Sequence, residues 1–175
     1  VLIYGETGTG KEMVAQAIHT SSKRRNKKFI SQNCAAIPPN LLESMLFGTV
    51  KGSYTGAENK PGLFEVANGG TLFLDEINSM EVGIQSKLLK AIDEKQVTRL
   101  GGYEPVKIDV KIISAFNEEP FKCVEEGRIR SDLFYRLSVV QLNIPPLRER
   151  KDDLLYLANY FIGAYKRSMG REIIG

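Results

Sequence analysis

Short apolar runs alternate along this chain with stretches of helical periodicity. Val1 to Tyr4 is a continuous apolar run and reads as a buried strand. A helical pattern follows from Lys11 to Ser22, with Met13, Val14, Ala17 and Ile18 on one face. Phe29 to Asn33 reads as a second strand, and Leu41 to Phe47 as a helix restarting after the break at Ile37-Pro38-Pro39-Asn40. Leu63 to Ala67 is a short helical turn closed by Gly69-Gly70, and Thr71 to Asp75 is a fully apolar strand ending in an acid. Glu81 to Lys95 is amphipathic, with Ile84, Leu88, Leu89 and Ile92 as its buried stripe. Val97 to Lys107 has Gly101-Gly102 at its middle and reads as a hairpin. Asp109 to Phe116 is another buried strand, Glu118 to Glu126 and the Arg128 to Leu137 segment read as helical, and Val139 to Ile144 is a last strand. Pro145 to Arg150 is a linker, and Asp152 or Asp153 caps a final helix to about Ser168. Five strands alternating with helices predict an α/β fold with a mostly parallel five-stranded sheet.

Composition sharpens this picture little. The 175 residues suffice for one domain with a sizeable core, and 42% hydrophobic with 26% charged is ordinary for a globular protein. A net charge of +3 is too small to argue for nucleic-acid binding. Cys34 and Cys123 are the only cysteines and lie far apart, which favours a reduced, cytoplasmic chain over a disulfide scaffold. No apolar run approaches membrane-spanning length, so no membrane role is expected. Starting on a core-type strand and stopping after a helix, the chain reads as a piece of a longer protein.

The chemistry concentrates after the first strand, in GETGTGKE from Gly5 to Glu12. Strand, GxxxxGK and helix in that order form a phosphate-binding loop. Glycines let backbone N–H groups approach phosphate oxygens, the helix N-terminus adds free donors, and Lys11 brings a point charge. Glu12 departs from the pattern, because a Ser or Thr normally follows the lysine and holds Mg²⁺. The blander alternative is a glycine-rich turn without a ligand, but strand, glycine spacing and lysine agree on a nucleotide.

Asp75-Glu76 at the end of an apolar strand suits the other half of a hydrolysis site, with Asp75 in the Mg²⁺ shell and Glu76 polarising a water. Alone, an acid at a strand end says little; downstream of a phosphate loop it says much. Asn117 follows a strand's C-terminal end, where open α/β sheets bind ligands. The long segment Gly48 to Gly62 carries Tyr54 between hinge glycines, which favours a contact loop over a floppy insertion. His19 has no clustered ligand partners and reads as a surface or packing residue. The basic run Lys23 to Lys28 lacks interleaved aromatics and reads as a solvated loop.

GETGTGKE, NCAAIP, LFGTVKGSYTGA, GGTLFLDEI, SAFN, RIRSDLFYRL and IPPLRERKDD stand in the order found in one family. The chain resembles the central AAA+ ATPase domain of sigma-54-dependent transcriptional activators, the bacterial enhancer-binding proteins, from its first residue to about Asp153. That resemblance implies a three-layer P-loop NTPase fold over residues 1–150 and the start of a helical lid, largely missing, over 151–175. Gly5, Glu6, Thr7, Gly8, Thr9, Gly10, Lys11 and Glu12 resemble Walker A, and the family typically carries Glu after the lysine. Asp75 and Glu76 resemble Walker B, Asn33 the switch asparagine that pairs with its glutamate, and Asn117 sensor I. Arg130 and Arg136 resemble arginine fingers reaching a neighbouring subunit's nucleotide, and Leu100 to Tyr103 falls in the second pore loop. Gly52, Ser53, Tyr54, Thr55, Gly56 and Ala57 are similar to the GAFTGA loop that grips sigma-54, with Ser for Ala and Tyr for Phe.

The implied function is ATP turnover with Mg²⁺ in a homo-oligomer, a hexameric ring, that remodels sigma-54 RNA polymerase holoenzyme for open-complex formation. DNA binding would belong to a domain outside this sequence. A nucleotide-dependent assembly module without turnover is the alternative from another class.

Overall fold

The computed structural model describes residues 1–169. They divide into two compact units, one of residues 1–144 and one beginning at Pro145. The first is built on a five-stranded sheet: β1 (Leu2–Tyr4), β2 (Phe29–Asn33), β5 (Thr71–Asp75), β8 (Lys111–Phe116) and β9 (Gln141–Asn143). Their order is β2-β5-β8-β1-β9 and every pairing is parallel. Two antiparallel ladders stand outside it, β3 (Gly48–Thr49) with β4 (Lys60–Pro61) and β6 (Gln96–Thr98) with β7 (Pro105–Lys107).

The inner strands β1, β5 and β8 are largely apolar because both faces of the sheet are covered there, whereas the edge strands β2 and β9 carry polar residues. Successive side chains alternate between two cores. Leu2, Leu72, Leu74 and Phe116 belong to the larger, and Ile3, Phe73, Ile113 and Ala115 to the smaller. The larger core is closed by α2 (Pro39–Phe47), α3 (Leu63–Val66), α4 (Val82–Glu94), α5 (Pro120–Glu125) and α6 (Ser131–Leu137). The smaller is closed by α1 (Lys11–Thr20), giving three layers. Pro39 opens α2 at its first position, where no intrahelical N–H is lost.

The buried row of α1 differs from the expected one. Met13 is 63% exposed and Ala17 is exposed, while Lys11, Ala15 and His19 are buried at four-residue spacing and Val14 and Ile18 are half-buried. The helix is rotated by its entry through left-handed Gly10, which turns the Lys11 stem inward. His19 packs 5.3 Å from the Phe29 ring and its Nδ1 lies 2.9 Å from Thr71 Oγ1, so it serves packing. The basic run after α1 is not all solvated. Arg24 bonds the carbonyls of Gly70 at 2.9 Å and Asp109 at 2.7 Å, and pairs with the Asp109 carboxylate at 2.6 Å. The last strand is shorter than its sequence suggests, and Val139 and Val140 lie exposed before it. In the second unit, α7 (Asp153–Met169) is the long helix foreseen after the linker.

Candidate functional site

The strand order places the site. From β1 the chain crosses to the far edge at β2, whereas from β8 it returns to the opposite edge at β9, so the direction of winding changes beside β1. Ligands of open α/β sheets bind at the C-terminal ends of strands at such a switch point. Register aligns those ends: Asn33 is opposite Asp75, and Tyr4 is opposite Phe116. Gly5 N–H then donates to Phe116 O at 3.2 Å, fixing the start of the phosphate loop against the end of β8, one residue before Asn117.

Gly8 and Gly10 hold left-handed φ of 85° and 94°, which turns the loop into the first turn of α1. Gly5 is required for a different reason, since a Cβ there would stand 2.4 Å from Ile144 O. Thr9 Oγ1 donates to Glu6 O at 2.8 Å, and Lys11 Nζ donates to Gly5 O at 2.8 Å and Glu6 O at 3.0 Å. Burial pulls the Lys11 ammonium below the usual lysine range, opposed by the charges of Asp75 and Glu76. Glu12 is exposed in the first turn of α1, where its charge suits the helix dipole.

Asp75 closes β5, and burial holds its carboxyl above the usual carboxylate range against the Glu76 N–H and the Lys11 charge. The next residue, Glu76, sits at φ 50°, ψ 45°, a left-handed conformation costly for a side-chain-bearing residue. Its N–H is tied to Asp75 Oδ1 at 3.0 Å. Asn33 Nδ2 donates to Glu76 Oε1 at 3.4 Å, and Asn33 Oδ1 accepts from the N–H groups of Ala35 and Ala36 at 2.8 and 3.1 Å. Cys34, beside these acids, is inert: burial pushes its thiol up to about 12.

No cluster of three or more His, Cys, Asp or Glu suited to a metal occurs among the described residues. One hard carboxylate beside a phosphate loop fits Mg²⁺, which keeps several waters and is held by one or two carboxylates plus substrate phosphates.

The residues suggested as fingers lie in α6 and just before it. Arg130 precedes α6 and forks the Asp132 carboxylate at 3.0 and 2.7 Å; Arg136, in its last turn, meets Asp93 at 2.8 Å. The Gly52 to Ala57 segment projects from the β3–β4 ladder. Tyr54 is 55% exposed, whereas Ala57 is buried and its N–H bonds Tyr54 O, so the tyrosine rather than the alanine is offered outward. Thr49 bridges to Leu100, and Gly101 approaches so near Ser53 that a Cβ there would lie 2.5 Å from the serine Cβ. Thus the two loops singled out in the sequence abut each other.

Four residues escaped sequence reasoning: Asn78, Gln85, Glu118 and Arg128. Gln85 is fully buried in the apolar stripe of α4, donating to Met80 O and Arg128 O at 2.7 Å each and accepting from Arg130 N–H at 2.9 Å. A glutamine inside an apolar stripe was the available signal. Arg128 grips Glu118 with its two terminal guanidinium nitrogens and also pairs with Glu126, and Asn78 joins Glu118 to Asn117. No spacing rule points to these.

Parallel sheet, glycine-turned loop, buried lysine and strand-end acids together define a P-loop NTPase of the AAA+ type. A family model described as the sigma-54 interaction domain matches residues 1–143, and the chain belongs to that family. It is 58% identical over 162 residues to the transcriptional activator RocR of Bacillus subtilis, covering 93% of this chain and 35% of RocR. It is 50% identical over 173 residues to the transcriptional regulator NtrC of Escherichia coli, covering 98% of this chain and 37% of NtrC. The crystal structure of NtrX from Brucella abortus in complex with ADP superposes with a TM-score of 0.90 at 39% identity, over 98% of this chain and 37% of that one. The chain thus spans little more than a third of each relative's length. Among the described residues no helix is long and apolar enough to cross a membrane.

Proposed function

We propose that this chain hydrolyses ATP within a homo-oligomeric ring, a hexamer, and spends the turnover on remodelling sigma-54 RNA polymerase holoenzyme at a promoter. The observation that carries this reading is the meeting, at the C-terminal ends of the strands, of Lys11, Asp75, Glu76 and an asparagine bonded to that glutamate. Gly5 to Glu12 cradle the phosphates through backbone N–H groups, and Lys11 exchanges the Gly5 and Glu6 carbonyls for phosphate oxygens. Asp75 is the residue to hold Mg²⁺, which neutralises phosphate charge when bound. Glu76 orients and polarises the attacking water, and Asn33 holds Glu76 until the γ-phosphate is read. Asn117 contacts that phosphate. Arg130 and Arg136 leave exposed carboxylate partners to reach the neighbour's nucleotide, an exchange that costs little because exposed ion pairs contribute little. The Gly52 to Ala57 loop, with Tyr54 outward, engages sigma-54. Nucleotide binding is supported by the relative solved with ADP and by another form of the same Brucella protein solved with ATP. On this reading the protein works in the cytoplasm, and no residue of this chain is assigned to DNA.

Glu76→Gln separates this reading from an assembly module without turnover. Steady-state phosphate release should fall by at least about 100-fold, with ATP affinity retained. A wild-type protein that binds ATP, assembles and releases no phosphate would leave the assembly module standing.

A further inference from the structure

Asn78 lies two residues beyond Glu76, buried in the short 3-10 turn Ile77–Ser79. Its Nδ2 donates twice, to Asn117 Oδ1 at 2.8 Å and to Glu118 Oε1 at 2.7 Å. The second acceptor decides the orientation of the first pair. An ionised carboxylate only accepts hydrogen bonds, and Glu118 is kept ionised: the Arg128 guanidinium, with help from Asn78, holds its carboxyl below the usual range. Were the Asn78 amide turned over, its oxygen would face two other oxygens. The present orientation leaves Asn78 Oδ1 buried and without a hydrogen-bond partner among the described residues. That cost is borne because the reverse is worse.

The consequence passes to Asn117. With its oxygen committed to Asn78, its NH₂ is the end of the carboxamide left to meet a ligand. An NH₂ attracts a phosphate oxygen, and an amide oxygen would repel one. We infer that Asn78 is a positioning residue for Asn117: backed by the Glu118–Arg128 ion pair, it holds the Asn117 carboxamide with the NH₂ as donor to the terminal phosphate of a nucleoside triphosphate. This rests on the proposed nucleotide site and adds to it the device by which that site tells triphosphate from diphosphate.

The test uses the full-length protein with Mg²⁺, and compares affinities for ADP and for a slowly hydrolysed ATP analogue. In the double variant Asn78→Asp/Glu118→Gln, the amide introduced at position 118 donates to the carboxylate introduced at position 78, at the cost of one of the two Arg128 bonds to position 118, while Arg128 keeps Glu126. That carboxylate also demands a donor from Asn117 and so turns the NH₂ away from the nucleotide. The variant should melt within about 4 °C of wild type, bind ADP as wild type does, and bind the ATP analogue about 10-fold more weakly, one charged hydrogen bond's worth. Asn117→Ala should show the same selective loss. If the double variant melts early, Asn78→Ala decides on the same affinity ratio, with a loss of about 3-fold expected from a freed carboxamide.

A wild-type ratio in the variants at position 78, alongside a lowered ratio in Asn117→Ala, overturns the inference and leaves the proposed function intact. A wild-type ratio in Asn117→Ala removes the sensing role and the inference with it. Equal nucleotide affinity in Lys11→Ala and wild type removes the site altogether.

Discussion

Gly5 and Glu76 show how closely single residues are constrained around the site. Glu76 takes a left-handed backbone that a glycine would occupy more cheaply, yet the position carries the carboxylate that Asn33 contacts. Gly5 has no such latitude, since its neighbour is the Ile144 carbonyl rather than a flexible side chain. Gly5→Ala should therefore force the loop away from the end of β9 and destabilise the fold by about 1–3 kcal/mol, read as a lower denaturant midpoint. It should weaken nucleotide binding as well, because the loop's N–H groups move with the backbone. Much of this was legible in the sequence, since GxxxxGK after an apolar run already dictates a turn into a helix. The inward set of Lys11, Ala15 and His19 was not. Hydrophobicity marks Met13 as core, but the left-handed entry at Gly10 sets the rotation.

Among elements, one polar joint outside the sheet ties α3 to the β6–β7 hairpin. Arg99 forks Glu65 at 2.8 and 2.7 Å, and Glu65 also accepts the Gly62 N–H. The Arg99 hydrogen bonds, ahead of opposing burial, hold the Glu65 carboxyl below the usual range. A depressed acid stabilises the fold above its unfolded value and loses that contribution as pH falls through its folded one. Glu65→Gln should thus lower the melting temperature at pH 7 by about 2–4 °C, for roughly 1 kcal/mol in a chain of this size. The gap to wild type should close as the pH falls below the ordinary carboxylate range, and a gap constant in pH would contradict the ionic origin. Gln85 is the corresponding joint between α4 and the Arg130 segment. Gln85→Ala would leave Met80 O, Arg128 O and Arg130 N–H without it, at roughly 1–3 kcal/mol for each group left unpaired. Thermal melting should drop, and ATP turnover should fall because the segment carrying Arg130 loosens. The hairpin and helices themselves were readable from periodicity and Gly101-Gly102. These joints were not, because a salt bridge between residues 65 and 99 leaves no local pattern.

At the scale of the molecule, the proposed site needs a second copy. An arginine supplied in trans is worth about 10³–10⁵ in rate for phosphoryl transfer. Phosphate release per subunit should therefore rise steeply with protein concentration, and Arg130→Ala should flatten that rise. Equal specific activity across a wide dilution series would contradict the trans role. The loop that would carry the output is anchored where it leaves the body: a Cβ at Gly48 would come within 2.6 Å of backbone across the β3–β4 ladder, and one at Gly62 within 2.4 Å of the backbone at the end of α2. The glycines at Gly52 and Gly56 have open space around them. A saturation scan of residues 48–62, scored once for protein abundance and once for promoter firing, should accordingly split this stretch in two. Changes at the clasp would empty the cell of protein, and changes at the tip would fill it with silent rings.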